Sequence, residues 1–326
     1  MLYNGYSKNS IFGSRVYKYC GETYNYLITI NLFLMKITKA VIAVAGYGTR
    51  FLPATKNQPK EMLPIIDKPI VHYLVEEAVN SGIEEIIFVT RCGQSTLEDY
   101  FDSHPELESN LEKNGKKDKL EKIKQIPRMA NFVYVRQHND HPYGNATPLK
   151  CVEPLIREDE PFVYMFGDDL TISAETPVTK QLIDAYEKDE PKAVVGVQEV
   201  DWQEVERYGT VKYKENTQDN RIEECLEKLP PKEAPSNKAV FGRFILTREV
   251  VEEADKTPLG KDNELWVADI LNRLAKRGEK VIAQPIEGEW DTTGDPLNYL
   301  KASVKYALER NDIGEDFKDY LERLLK

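Results

Sequence analysis

Residues 40–50 of this 326-residue chain read AVIAVAGYGTR, a continuous apolar run that ends in two glycines and an arginine. A short apolar run that stops at glycine is typical of a strand buried on both faces of a parallel sheet. The residues after such a strand lie at the carboxyl edge of the sheet, where parallel sheets bind their ligands. The stretch therefore predicts both a fold and the place of a binding loop.

The rest of the chain continues this alternation of strands and helices. Pro69 is expected to open a helix whose apolar face runs through Val71 and Val79 and which stops at Gly82. The further predicted strands are residues 85–89, 132–135, 162–166, 193–197 and 239–246. Surface helices are predicted in residues 94–128, and two helices close the chain. Strands that alternate with helices predict an α/β protein with a doubly wound, mainly parallel sheet.

Composition restricts the possible partners. The formal net charge of −11 argues against nucleic acid, because phosphate backbones select basic surfaces. A nucleotide substrate stays compatible, since a few local cations suffice for one triphosphate. The cysteines lack metal-ligand or disulfide spacing, which predicts a reducing cytoplasm. They are Cys20, Cys92, Cys151 and Cys225. No apolar run reaches the roughly 20 residues that a bilayer span needs, so no membrane partner is expected.

The first 34 residues stand apart from this pattern. Basic residues precede the apolar stretch 27–34, which loosely resembles a signal peptide. Cleavage at the nearest small-residue site, residues 43–45, would destroy the first strand. We therefore predict that residues 1–34 are an extension, disordered or a misassigned start, and that residues 35–326 form the domain.

The loop after the first strand has features of a phosphate site. Gly46 and Gly48 let the backbone approach a ligand, and Arg50 adds a planar charged fork. The dinucleotide-binding fingerprint G-x-G-x-x-G is excluded, because it needs glycine at position 51, where this chain has Phe51. A Walker A loop is excluded too, because it needs four residues between its first glycine and Gly-Lys-Ser/Thr. Alone, the loop is equally compatible with a tight strand-to-helix turn. Three prolines stiffen the continuation RFLPATKNQPKEMLP, and Lys60 follows Arg50 by ten residues, so both cations can reach one polyphosphate.

Polar residues follow two other predicted strands. Asp168 and Asp169 come directly after the strand 162–166, and a carboxylate there suits Mg²⁺, which takes one or two carboxylates plus phosphate oxygens. A turn or helix-capping aspartate fits the local sequence equally well. Gln137 follows the strand 132–135, and its amide offers a donor and an acceptor to a pyrimidine edge. Gly144 would allow close approach of a base.

The combination of G-x-G-T-R and P-K-E-M-L-P resembles the motif of sugar-phosphate nucleotidyltransferases, in the form carried by bacterial and archaeal UTP–glucose-1-phosphate uridylyltransferases. The likeness covers residues 35–325 and includes 67–69, 97–102, 106–108 and 313–317. It implies a Rossmann-like sheet of the nucleotidyltransferase type. It also implies Mg²⁺-dependent uridylyl transfer from UTP to glucose 1-phosphate, giving UDP-glucose and pyrophosphate. The alternative is a related enzyme that uses dTTP or another sugar 1-phosphate.

The same resemblance assigns roles to individual residues. The implied catalytic residues are Arg50, Lys60, Asp168 and Lys228; the nucleotide-binding residues are Ala45, Gly46, Gly48, Thr49, Gln137 and Gly144; the sugar-phosphate-binding residues are Asp169, Gly209, Glu227 and Lys228; and the metal ligand is Asp168. Many relatives carry a second metal ligand two residues before a glycine near the end of the domain. Here Thr292 holds that position and Asp291 precedes it. Asp291 is thus a second candidate for a metal ligand. Because successive side chains of a strand point to opposite faces, a shift of one residue argues against its reaching the metal.

Further implications concern assembly and rival functions. The resemblance implies a cytoplasmic homodimer or homotetramer with UTP and glucose 1-phosphate as its partners. The rivals are a thymidylyltransferase, a non-catalytic relative and a dinucleotide-dependent oxidoreductase. The oxidoreductase fails on glycine spacing, and the joint presence of the four implied catalytic residues argues against the non-catalytic relative. The identity of the sugar stays open, because sugars differ by single hydroxyl contacts.

Overall fold

The structure is a computed structural model that describes residues 36–173 and 175–326. The extension predicted for residues 1–34 lies outside the described residues. Ile37–Lys326 forms one compact unit. Within the described ranges, no helix is both long and apolar enough to cross a bilayer.

The described residues form strands and helices in alternation. In chain order the strands are β1 Lys39–Ala43, β2 Pro64–Ile65, β3 Lys68–Pro69, β4 Glu85–Thr90, β5 Asn131–Arg136, β6 Phe162–Phe166, β7 Asp169–Ile172, β8 Ala193–Glu199, β9 Gly209–Tyr213, β10 Ile222–Glu227, β11 Lys238–Leu246, β12 Val281–Pro285 and β13 Glu289–Thr292. The α-helices are α1 Ile70–Asn80, α2 Ser95–Tyr100, α3 Pro105–Lys113, α4 Lys117–Gln125, α5 Thr147–Val152, α6 Val178–Asp189, α7 Arg248–Lys256, α8 Val267–Lys276, α9 Pro296–Leu308 and α10 Gly314–Leu324.

The central sheet is built around β1. Both β4 and β6 pair with β1 in parallel, so that Val41 lies opposite Ile87 on one side and Tyr164 on the other. β5 continues the parallel part beyond β4. β11 runs antiparallel beside β6 and also pairs with β8 and β9. The predicted doubly wound α/β fold is confirmed; the antiparallel direction of β11 is an addition that its apolar sequence did not reveal.

Side chains of β1 alternate between two cores on opposite faces of the sheet. Ile42 packs on one face with Leu74 of α1 and Leu182 of α6. Val41 packs on the other face with Leu149 of α5 and with residues of α7 and α8. Because helices cover both faces, β1 needs no polar alternation, which explains its continuous apolar run. Replacing a buried residue such as Ile42 by alanine would cost ~2–5 kcal/mol.

The parallel part of the sheet sets the position of the functional loops. The carboxyl ends of β1, β4, β5 and β6 lie at one edge, since these strands run in the same direction. Two short 3₁₀ turns, Thr49–Phe51 and Lys60–Met62, lie in the long loop after β1. Pro69 caps α1 instead of starting it, and the helix begins at Ile70. The loops that contain Arg50, Gln137 and Asp168 all leave the sheet at this edge.

Candidate functional site

A cleft of about 570 Å³ lies at this edge and collects most of the charged residues predicted from the sequence. The predicted site residues among those that line it are Arg50, Asp168, Asp169, Gly209, Glu227 and Lys228. A second cleft, of about 580 Å³, lies between the β9–β10 hairpin and α8, and none of the predicted residues lines it. Its charges pair with one another, as Lys212 does with Glu223 at 2.9 Å. The first cleft is therefore the candidate site.

The glycine loop after β1 packs against the side chain of Lys60. Gly48 has a φ of +61°, and a Cβ at this position would lie only 3.2–3.3 Å from side-chain atoms of Thr55 and Lys60. A Cβ at Gly46 would meet the Lys60 side chain at 3.7 Å. Thr55 closes the turn by donating its hydroxyl to the Gly48 carbonyl at 2.7 Å. Glycine is thus required at position 48 both for conformation and for space, and Lys60 lies beside the loop.

Lys60 and Asp168 form an ion pair at the carboxyl ends of β1 and β6. The Nζ of Lys60 lies 2.5 Å from Oδ2 of Asp168 and 3.9 Å from Oε1 of Glu61. Burial lowers the pKa of the Lys60 ammonium, but the carboxylates of Asp168 and Glu61 outweigh it and hold that pKa above its usual value. Lys60 is therefore charged at neutral pH in the free protein, with a carboxylate already bound to it.

The backbone of Asp168 is fixed by the segment that follows β13. Thr293 donates its backbone N–H and its hydroxyl to the Asp168 carbonyl, at 2.7 Å and 2.8 Å. A Cβ at Gly294 would lie 2.9 Å from Oδ2 of Asp168, and the Gly294 carbonyl accepts a hydrogen bond from Nη1 of Arg50 at 3.2 Å. The segment thus holds Arg50 and Asp168 together in the cleft.

Asp169 lines the cleft and is also hydrogen-bonded to the sheet beneath it. Its Oδ2 accepts a hydrogen bond from the backbone N–H of Gly242 in β11 at 2.8 Å. Burial raises the pKa of Asp169 to about 6. Arg243, fully buried, donates to the Asp169 carbonyl at 2.8 Å and pairs with Glu77 of α1 at 2.6 Å. Removing one partner of such a buried pair costs ~3–5 kcal/mol, and Arg243 thereby links the Asp169 backbone to α1.

The opposite wall of the cleft comes from β9 and β10. Gly209 and Glu227 are cross-strand partners, and a Cβ at Gly209 would lie 2.9 Å from Oε2 of Glu227. Burial raises the pKa of Glu227 to about 7. Lys228 follows β10 directly, with its Nζ 3.7 Å from Oε1 of Glu227 and 3.9 Å from the ring centroid of Trp266. Glycine at position 209 leaves room for the Glu227 carboxyl group in the cleft.

The residues predicted to bind the base, Gln137 and Gly144, do not line the cleft. Gln137 follows β5, where its backbone N–H donates to the Thr90 carbonyl at 2.8 Å. Gly144 has a φ of +138°, and a Cβ there would lie 2.2 Å from the Leu265 carbonyl oxygen. This glycine is thus required for protein packing, apart from any role toward a ligand. The ring of Tyr143 stacks on that of Tyr47 at 6.1 Å, which links the two loops.

Ala45 and Thr49 complete the predicted loop. Ala45 is buried at the end of the run after β1, and Thr49 starts the 3₁₀ turn that carries Arg50. Neither side chain lines the cleft, so any contact of theirs with a ligand would come from the adjoining backbone.

The structure does not bring Asp291 to the cleft. In β13 it pairs with Leu170 of β7, and its Oδ2 accepts a hydrogen bond from Nζ of Lys305 at 2.8 Å. The next residue, Thr292, lines the cleft instead. Successive side chains of a strand point to opposite faces, which is why the shift of one residue matters. Within the described ranges, no group of three or more His, Cys, Asp or Glu residues is arranged to hold a metal ion.

Sequence reasoning missed Glu61 and Trp266. Glu61 is 1% exposed, and burial raises its pKa to about 7. Its Oε2 has no hydrogen-bond partner among the described residues. Glutamate is ordinarily a surface residue, and nothing in its neighbourhood signals burial except its place beside Lys60. Trp266 precedes α8 and reaches the cleft by tertiary packing, for which the local sequence carries no signal.

The chain is similar to known proteins over most of its length. Residues 39–309 match the model of the nucleotidyl transferase family. The chain is 39% identical over 295 residues to the UTP–glucose-1-phosphate uridylyltransferase of Bacillus subtilis (strain 168), which covers 90% of this chain and 98% of that protein. The family match includes every residue that lines the candidate site.

Two solved structures resemble the fold closely. A UTP-bound UGPase from Acinetobacter baumannii matches with a TM-score of 0.79 and 34% identity, covering 88% of this chain and 99% of that one. A UDP-glucose pyrophosphorylase complexed with UDP-glucose matches with a TM-score of 0.74 and 38% identity, covering 84% of this chain and 100% of that one. Those proteins bind, respectively, a nucleoside triphosphate and a nucleotide sugar.

Proposed function

Because this chain belongs to the nucleotidyl transferase family, we propose that it transfers the uridylyl group of UTP to glucose 1-phosphate, releasing UDP-glucose and pyrophosphate. One observation carries the proposal. Asp168 and Lys228 line a single cleft. Asp168 also forms an ion pair with Lys60, which lies beside the glycine loop. Cations on two walls of one cleft suit a reaction between two phosphorylated substrates.

The reaction needs alignment and charge stabilisation rather than a protein nucleophile. A phosphate oxygen of glucose 1-phosphate attacks the α-phosphorus of UTP in line with the leaving group. A new P–O bond forms, the bond from the α-phosphorus to the bridging oxygen breaks, and pyrophosphate leaves with that oxygen. Arg50 and Lys60 stabilise the triphosphate and the charge that develops on pyrophosphate. Lys228 anchors the attacking phosphate.

The donor set at the cleft fits a magnesium ion. Asp168 contributes a carboxylate to the cleft wall, and Mg²⁺ commonly binds through one or two carboxylates together with substrate phosphate oxygens and water. Asp168 would hold the ion. Bound Mg²⁺ would neutralise phosphate charge. Asp291 has no part in the proposed site, since Asp168 and Thr292 line the cleft and Asp291 does not.

The remaining predicted residues surround the two substrates in this proposal. The nucleotide contacts Ala45, Gly46, Gly48, Thr49, Gln137 and Gly144. The sugar phosphate contacts Asp169, Gly209, Glu227 and Lys228.

The proposal extends to assembly, domain organisation and location. We expect residues 35–326 to form the catalytic domain of a cytoplasmic homodimer or homotetramer. Exposed leucines near the end of the chain offer apolar surface to a second copy of the chain. They are Leu297, Leu300, Leu324 and Leu325, each at least 60% exposed. The net charge of −11 supports the exclusion of nucleic acid. Light scattering coupled to gel filtration measures the oligomer directly.

Pyrophosphate release from a matrix of substrates tests the proposed function. The matrix combines UTP, dTTP, ATP and GTP with glucose, galactose and glucosamine 1-phosphates, each with Mg²⁺ and with a chelator. UTP with glucose 1-phosphate and Mg²⁺ should give the highest kcat/KM. A preference for dTTP would identify a thymidylyltransferase, and no release in any combination would contradict a catalytic role.

A further inference from the structure

Lys228 has an uncommon backbone conformation. Its φ of +47° lies in the left-handed region, which side-chain-bearing residues adopt only where the surroundings enforce it. Its N–H donates to the Tyr208 carbonyl at 3.1 Å, and its own carbonyl accepts a hydrogen bond from Nζ of Lys261 at 3.1 Å. Two hydrogen bonds therefore fix the backbone of Lys228 directly after β10.

The other end of the side chain rests on an aromatic ring. The Nζ of Lys228 lies 3.9 Å from the ring centroid of Trp266, which is 7% exposed. The ring is itself anchored, because its Nε1 donates to the Lys261 carbonyl at 3.0 Å. Lys261 thus holds both the backbone of Lys228 and the ring beneath its ammonium. A cation over a largely desolvated tryptophan face is attracted by the ring quadrupole.

The ring holds this ammonium without occupying its hydrogen-bond donors. Oε1 of Glu227 lies 3.7 Å from Nζ of Lys228, an ion-pair distance that is longer than a full hydrogen bond. An ammonium carries three N–H donors and accepts nothing, so its donors remain for the oxygens of a ligand. A carboxylate in place of the ring would neutralise the charge and compete with an incoming phosphate. An aromatic face does neither.

We infer that Trp266 is a positioning residue, which holds the Lys228 ammonium in the cleft with its donors free for the phosphate of the sugar substrate. The inference rests on the proposed function, in which Lys228 anchors that phosphate. Trp266 itself acts only through Lys228. The arrangement restricts a long, flexible side chain before the ligand arrives, which lowers the ordering cost of binding.

Calorimetric binding of UDP-glucose tests the inference without catalysis. This product contains the phosphate that glucose 1-phosphate contributes, whereas UTP does not. The proteins are the parent chain, Trp266→Leu, Trp266→Phe, Lys228→Met and the double variant Trp266→Leu/Lys228→Met. Trp202→Leu is the matched control, because Trp202 is half exposed and does not line the cleft.

The expected result is a loss of affinity for UDP-glucose that occurs only when Lys228 is present. Trp266→Leu should weaken UDP-glucose binding roughly 10-fold, in line with a desolvated cation–π contact, while Trp266→Phe recovers part of the loss. UTP affinity should stay at the parent value in both, and Trp202→Leu should change neither ligand. In the Lys228→Met background, Trp266→Leu should have no further effect on UDP-glucose.

Two outcomes would overturn the inference alone. One is additive losses from Trp266→Leu and Lys228→Met, which would mean that the ring acts independently of the ammonium. The other is equal weakening of UTP and UDP-glucose by Trp266→Leu, which would mark a loss of packing. A parent chain that binds neither ligand would overturn the proposed function, and this inference with it.

Discussion

Behind the wall formed by Arg50 and Asp168, the Lys60 ammonium lies 2.5 Å from the Asp168 carboxylate, whereas on the wall formed by β9 and β10 the Lys228 ammonium lies on the face of Trp266. We call these the phosphate-loop wall and the sugar wall. Both arrangements reduce the free-energy cost of keeping a cation partly out of water. They differ in what must happen when a ligand binds.

Lys60 must exchange partners, while Lys228 need not. A triphosphate that binds Lys60 competes with Asp168, and the carboxylate then becomes available to a divalent cation. Lys228 keeps its ring, and its 3.7 Å separation from Glu227 leaves its donors available to a phosphate. The two lysines are therefore not equivalent anchors. Substitutions on the phosphate-loop wall should disturb charge rearrangement during turnover, and substitutions on the sugar wall should mainly weaken binding.

The largest effect is expected on the phosphate-loop wall. Lys60→Ala and Asp168→Ala should each lower kcat roughly 100- to 1,000-fold, because each removes a charge that stabilises the transition state. Steady-state pyrophosphate release measures this, and circular dichroism checks that the variants stay folded. Lys56→Ala is the matched control, since Lys56 is an exposed lysine of the same loop. Near-parent turnover in either variant would remove that residue from the proposed mechanism.

A smaller effect is expected on the sugar wall. Lys228→Ala should lower kcat/KM for glucose 1-phosphate about 10- to 100-fold, as loss of a charged hydrogen bond does, and leave KM for UTP unchanged. The exposed Lys232, four residues along the chain, provides the control variant Lys232→Ala. A rise in KM for UTP equal to that for glucose 1-phosphate would erase the distinction between the walls.

The smallest effect concerns stability against pH on the sugar wall. The folded chain raises the pKa of Glu227 from 4.5 to about 7, so between these values it binds a proton that the unfolded chain has released. Stability must therefore fall as pH rises through this range, by about 1 kcal/mol between pH 6 and 8 from this group.

Denaturant unfolding of the parent and of Glu227→Gln at pH 5, 6, 7 and 8 measures that slope. The variant keeps the volume of the side chain and lacks its titration, so its stability should fall less than that of the parent. Parallel curves for the two proteins would show that Glu227 has an ordinary pKa. Glu61, with a pKa of about 7, contributes with the same sign in both proteins and cancels in the comparison.

The sequence predicted those parts of the fold and site that depend on local signals. The run that became β1 carries its own burial pattern, and Asp168 follows a strand whose predicted bounds, Phe162–Phe166, are those observed. The alternation of strand side chains also agrees with the placement of Thr292 in the cleft lining and of Asp291 outside it, bound by Lys305. Each of these needs only neighbouring residues.

The rest depends on contacts between distant parts of the chain. The direction of β11 follows from its pairing with β6, and an apolar strand reads the same in either direction. The burial of Glu61 depends on packing under the loop after β6. The contact of Trp266 with Lys228 joins the start of α8 to the end of β10. No local periodicity encodes such pairings, because tertiary packing decides them.

Crossed binding titrations test the division between the two walls most directly. UTP and UDP-glucose are each titrated into the parent chain, Lys60→Ala and Lys228→Ala. Lys60→Ala should weaken UTP about 10- to 100-fold and UDP-glucose much less, and Lys228→Ala should weaken UDP-glucose by a similar factor while leaving UTP at the parent affinity. If both variants weakened the same ligand, or if Lys228→Ala weakened UTP as much as UDP-glucose, the account of two separate walls would be wrong.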